Sequence, residues 1–156
     1  MRRYVYISAG FTLMEVLAAL AVIGILAAIA VPAYQRQVRN TRLQQASAIL
    51  QDNARFLEQF YSQHHSFKTN STTWANLPRI QNDYFCFRMQ GDARGANDDS
   101  FTIKAVALNK NREPRVLRIN QDSIITICEE SNSSCSDTDA VFSNTNGTDK
   151  ECSIYQ

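Results

Sequence analysis

The chain is short of the residues from which most active sites are assembled. Its only two histidines, His64 and His65, are adjacent, and its four cysteines are spaced 42, 7 and 17 residues apart with no C-x-x-C pair. That pattern argues against a zinc site. There is no phosphate-binding glycine loop and no nucleophile–base signature, and the Asp98-Asp99 pair reads as a solvated turn. No enzymatic activity, metal or cofactor is therefore expected. The formal net charge is only +1, so no global excess of one sign marks the chain for a polyanion.

Also missing is any polar side chain between Val16 and Val31. With Phe11 to Met14 the apolar stretch reaches about 20 residues, long enough to cross a bilayer as a helix. Glu15 stands near its start. A carboxylate there costs roughly 2.5–3.5 kcal/mol without a partner, which makes it a functional candidate. A secretory signal would use Arg2 and Arg3 as its basic region and Ala28-Ile29-Ala30 as its cleavage site. Against this, Glu15 would fall inside the hydrophobic region, and the helical pattern runs on past Ala30. A plain single-span anchor gives Glu15 no role.

Gly10, then Phe11, then Glu15 four residues later, ahead of an apolar run, resembles the type III signal of type IV prepilins. The resemblance implies cleavage between Gly10 and Phe11 by a prepilin peptidase and N-methylation of Phe11. It implies that Glu15 serves filament assembly by pairing with the amino group of a neighbouring Phe11. Pro32 matches the family's helix-bending proline. The chain would start in the inner membrane of a Gram-negative bacterium and then join other pilin subunits in a pilus at the cell surface. The implied organisation is a leader at 1–10, a transmembrane and filament-core helix at 11–35, and a soluble headgroup at 36–156. Losing Arg2 and Arg3 with the leader leaves 14 basic against 15 acidic residues.

After Pro32, apolar residues recur at threes and fours through Val38, Ala46, Ile49, Leu50, Leu57, Phe60 and Tyr61, with arginines on the other face. No Gly or Pro interrupts Ala33 to His65, so one helix is expected from Phe11 to about Gln63. Residues 66–83 read as a loop in which Trp74 plugs the core. Four short strands follow, at 84–90, 101–107, 115–120 and 123–128, rich in β-branched and aromatic residues. Hairpin loops fit 91–100 and 109–114. A long helix packed on a four-stranded antiparallel sheet is an α+β architecture.

Strand alternation carries the functional signal. With Phe85, Phe87, Met89, Ile103, Ala105, Leu117 and Ile119 facing inward, Arg88, Lys104 and Arg118 face out, one cation near the middle of each strand. Neighbouring strands would set them in a stripe roughly 10 Å across. Arg94 in one loop, and Lys110 and Arg112 in the other, could extend it. Charged outer faces usually just keep sheets soluble. Here no carboxylate occupies those outward positions, and like charges side by side repel unless an anion binds. Double-stranded DNA is the candidate partner.

A second resemblance covers nearly all of the mature chain. Asn53 to Tyr61, Phe85 to Arg88, Ala93 to Ala96, Phe101 to Val106, Ile127-Cys128, Ser133 to Asp137 and Asp149 to Cys152 resemble the competence minor pilins that bind uptake-sequence DNA. This implies the type IV pilin fold and a receptor role in natural transformation, with Arg88, Lys104 and Arg118 in the DNA-binding stripe. Four exported cysteines read as two disulfides with three possible connectivities. The resemblance favours Cys128 with Cys152, which leaves Cys86 with Cys135, and so implies a disulfide-stapled C-terminal region. Glu129 and Glu130 depart from the family's basic character at that place. The alternative is a structural minor pilin or a type II secretion pseudopilin, which needs no aligned cations.

Overall fold

The uninterrupted helical run becomes one helix, α1, from Leu13 to His64. The computed structural model describes residues 12–136, 142 and 149–155. The expected cleavage and methylation at Gly10 and Phe11 lie outside the described residues. Thr12 and Glu15 have the spacing of a capping box, and the Glu15 amide donates to the Thr12 hydroxyl at 3.3 Å. Glu15 thus sits in the first turn, where a carboxylate suits the helix dipole. The helix passes through Pro32 without interruption.

The chain divides into two units between Arg39 and Asn40. In the first, Leu17, Leu20, Ile23, Leu26 and Ile29 are all exposed. Such a surface suits lipid or partner helices and not water. The apolar stretch is long enough to cross a membrane.

In the second unit the helix buries one face, Leu43, Ala46, Ile49, Leu50, Ala54 and Leu57, spaced as an amphipathic stripe. Asn53 is on that face and fully buried. Its amide nitrogen donates to the Arg79 carbonyl at 2.8 Å and its oxygen accepts from the Arg79 amide at 3.1 Å, which clamps the connection after α1 to the helix. His65, at φ 55°, ends the helix in the left-handed region. Where only a loop was expected, a small hairpin forms from β1 (Lys68–Asn70) and β2 (Thr73–Trp74). Trp74 is half-buried against the core and donates its indole N–H to the Gly91 carbonyl at 2.8 Å.

The main sheet is antiparallel and runs in chain order: β3 (Phe85–Met89), β4 (Thr102–Ala107), β5 (Val116–Asn120), β6 (Ile125–Glu130) and β7 (Lys150–Ile154). Its inner face sets Phe85, Phe87, Ile103, Leu117 and Ile119 against the helix stripe in one buried cluster. The four-stranded expectation is corrected to five. All five β7 residues are exposed, so the strand carries no burial pattern that its sequence could announce. It is held by backbone pairing to β6 and by the Cys128–Cys152 disulfide between directly opposed residues.

Candidate nucleic-acid interface

The three mid-strand cations are strict neighbours. Arg88 pairs with Lys104 across β3 and β4, and Lys104 pairs with Arg118 across β4 and β5. The row continues through Thr126 to Ile154. Alternation therefore placed all three on the face away from the helix.

What alternation could not show is that this face is roofed. Lys104 is 0% exposed. Its ammonium donates to the Ser133 hydroxyl at 2.6 Å and to the Asp149 carboxylate at 2.7 Å. The same carboxylate accepts from the Ser131 hydroxyl at 2.6 Å and from Arg118 at 3.4 Å. Arg88 donates to the Cys135 carbonyl at 2.7 Å. The Phe142 ring lies 5.6 Å from the Arg88 guanidinium and 5.8 Å from the Lys104 ammonium, within cation–π range of both. Burial pushes the Lys104 ammonium below the usual lysine range; Asp149 opposes this shift, and the charges of Arg118 and Lys110 add to it.

Two expectations are corrected here. Lys104 does not stand on a solvent face, because residues from beyond β6 cover it, and a fully buried ammonium does not reach a phosphate. Nor is the row without a carboxylate: Asp149, whose side chain is 5% exposed, bridges two of its three members. Strand periodicity fixes which side a residue takes, not what later folds over that side. Arg88 is half-buried, and the Arg118 side chain keeps 27% exposure at the edge of the roof.

The loop cations are split between the two ends of the strands. Arg94 lies between β3 and β4, whereas Lys110 and Arg112 lie between β4 and β5, at the opposite end. Arg94 and Arg112 are exposed and Lys110 is half-buried. Among the described residues, no ion pair involves any of the three. Glu129 and Glu130 are exposed at the end of β6, with Glu130 4.0 Å from Lys150. The surface thus offers guanidinium groups beside and around a neutralised centre, suited to a phosphate backbone more than to a compact anion.

The disulfides join Cys86 to Cys135 and Cys128 to Cys152. Cys86 and Cys128 form a second buried cluster with Val106, Val116 and Phe142, against which Cys135 packs, while Cys152 is exposed. No helix or strand periodicity marks Asp149, Ser131, Ser133 or Phe142, and Ser133 and Asp149 stood out only as members of the stretches that carry the resemblance. One clue was available for Asp149. Pairing Cys128 with Cys152 in a sheet also brings the residues flanking them together, Glu130 with Lys150, and so delivers Asp149 close to Ser131.

Residues 32–115 match the family described as "Type IV minor pilin ComP, DNA uptake sequence receptor", and residues 7–31 match the prokaryotic N-terminal methylation motif. The chain is 43% identical to the minor DNA-uptake pilin ComP from Neisseria subflava, a solution NMR structure, over 73% of this chain and 95% of that one, with a TM-score of 0.58. It is 33% identical over 64 residues to a fimbrial protein of Neisseria meningitidis serogroup A, 41% of this chain and 38% of that one. The figures for the type IV major pilin protein PilE1 of Neisseria gonorrhoeae are 33% over 64 residues, 41% and 39%. The chain thus spans under two-fifths of the length of these two fimbrial relatives.

Proposed function

The chain belongs to the family of the type IV minor pilin ComP, and from that premise we propose that it is a minor pilus subunit that captures extracellular double-stranded DNA carrying an uptake sequence for natural transformation. The observation that carries this reading is the in-register row of Arg88, Lys104 and Arg118. Asp149 offsets the charge of Lys104 and Arg118 only in part, and cations drawn into one row suit an anionic partner. Arg88 and Arg118 are its phosphate-contacting members, and Arg94, Lys110 and Arg112 add contacts at the two ends of the strands. Lys104 acts underneath, as the post that holds the roof through Asp149.

The same reading assigns the rest of the chain. Residues 1–10 are a leader that prepilin peptidase removes between Gly10 and Phe11, and Phe11 is then methylated. Residues 11–35 anchor the prepilin in the inner membrane and later form the filament core with other subunits, where Glu15 meets a neighbour's amino terminus. Residues 36–156 are the displayed headgroup on the cell surface. It binds; it does not catalyse.

A purely structural pilin or pseudopilin is the second reading, and one observation favours it: Asp149 already neutralises part of the row. Titration of the detergent-solubilised protein with labelled duplex DNA at several salt concentrations separates the two. A receptor binds, and its affinity falls steeply with salt. Replacing Arg88 or Arg118 by Ala reduces the log–log salt slope by about 0.9 each, whereas Lys104→Met leaves the slope unchanged. Absence of binding at low salt assigns the structural role. Competition by duplexes with and without the uptake repeat reports sequence preference.

A further inference from the structure

The loop that carries Arg94 is built around a buried lysine from another part of the chain. Lys68, the first residue of β1, has a side chain only 7% exposed. Its ammonium donates to the Ala96 carbonyl at 2.6 Å and the Ala93 carbonyl at 3.2 Å, and pairs with the Asp98 carboxylate at 2.8 Å. Those three acceptors take up all three of its N–H bonds. Two more bonds tie the loop to the same hairpin and to the residue before it: the Trp74 indole to the Gly91 carbonyl at 2.8 Å, and the Phe67 amide to the Asp98 carbonyl at 3.0 Å. Gly91 and Gly95 take positive φ, 102° and 77°, so the chain can wrap this closely. Ala93 is buried, while Arg94 and Gly95 stand exposed at the apex.

A lysine enclosed in this way cannot touch DNA, and its burial is not explained by the apolar core. We propose that Lys68 is a positioning residue for Arg94: its caged ammonium holds the β3–β4 loop in one shape, so that Arg94 meets the duplex without first having to be ordered. This rests on the reading of Arg94 as a DNA contact. A loop ordered in advance binds more tightly because the ordering cost is removed from the binding step. The effect passes entirely through Arg94, which sets it apart from general electrostatics.

The test is a double-mutant cycle on the full chain in detergent, with duplex DNA carrying the uptake repeat. Arg94→Ala weakens binding and lowers the salt slope by about 0.9. Lys68→Met weakens binding by about tenfold with the salt slope unchanged, and adds less than about twofold in the Arg94→Ala background. Trp74→Phe removes the bond to the Gly91 carbonyl without altering charge, and gives a smaller loss with the same dependence on Arg94. It decides the matter if Lys68→Met fails to fold. Amide exchange at Gly95 and Ala96 quickens in both variants while that of Ala105 and Val106 in β4 does not. Equal losses with and without Arg94, or a lowered slope in Lys68→Met, overturn the assignment while the receptor function stands. Failure of the unaltered protein to bind any duplex overturns both.

Discussion

The two faces of the five-stranded sheet are closed by opposite means. The inner face is sealed by α1, with Leu43, Leu50 and Leu57 against Phe85, Phe87 and Ile103, an apolar contact that needs no partner of particular charge or geometry. The outer face is sealed by two disulfides, one carboxylate, two serine hydroxyls and the Phe142 ring. The first closure is forgiving of substitution within its volume. The second depends on a few atoms each finding one partner, and it lies against the row of Arg88, Lys104 and Arg118. The unit that begins at Asn40 keeps its apolar core on one side of the sheet and its paired polar groups on the other.

The sharpest way to break that contrast is to remove the staples. Reduction of both disulfides, or their replacement by serine pairs, is expected to cost on the order of 4–8 kcal/mol, twice the value for one bond. The melting temperature with and without a thiol reductant measures it; an unchanged melt would place the stability of the outer face elsewhere.

Next in size is the ion pair. Asp149→Ala strands a buried ammonium and should cost about 3–5 kcal/mol. The double variant Lys104→Met with Asp149→Leu recovers most of that loss, since no buried ammonium is then stranded and Arg118, which also loses Asp149, keeps 27% exposure to water. On the other face Leu50→Ala should cost about 2–5 kcal/mol. Combined with Asp149→Ala it should be additive within about 0.5 kcal/mol, as the two sites lie on opposite faces of the sheet. Strong coupling in denaturant melts would show that the two closures are not separate.

The smallest expected effect is a pH dependence confined to the outer face. Burial lowers the Lys104 pKa from its ordinary 10.5. Between that lowered value and 10.5 the unfolded chain holds a proton that the folded chain has released, so the stability due to Lys104 rises with pH. Below that window both states carry the proton and the contribution is flat. Comparing the unaltered protein with Lys104→Met in alkaline unfolding series should reveal the rise. A difference that stays level or falls would mean that Asp149 outweighs burial.

The inner face was readable from the chain because its rules are local. The 3.6-residue stripe around Leu50 and the alternation of Phe85 and Phe87 are periodicities that a sequence displays directly. The same alternation located Arg88, Lys104 and Arg118 on one side, and the strands then met in the register that aligns them. The outer closure was hidden for the converse reason. Asp149 reaches Lys104 across 45 positions and Arg88 meets the Cys135 carbonyl across 47, and no short-range pattern marks such meetings. β7 escaped notice because an exposed edge strand has no apolar face to reveal it. Nothing in the sequence singles out Lys68, for burial by carbonyl oxygens leaves no trace in hydropathy.

The two sulfur bridges have a consequence for when the molecule becomes competent. Cys86–Cys135 and Cys128–Cys152 bracket the segment whose residues cap the row of cations, and such bonds persist only where thiols are oxidised. With the four thiols reduced, the helix and the sheet keep their apolar contacts, while the groups over the cations lose their covalent ties. The redox state of four sulfur atoms thus decides whether the row of cations stays covered.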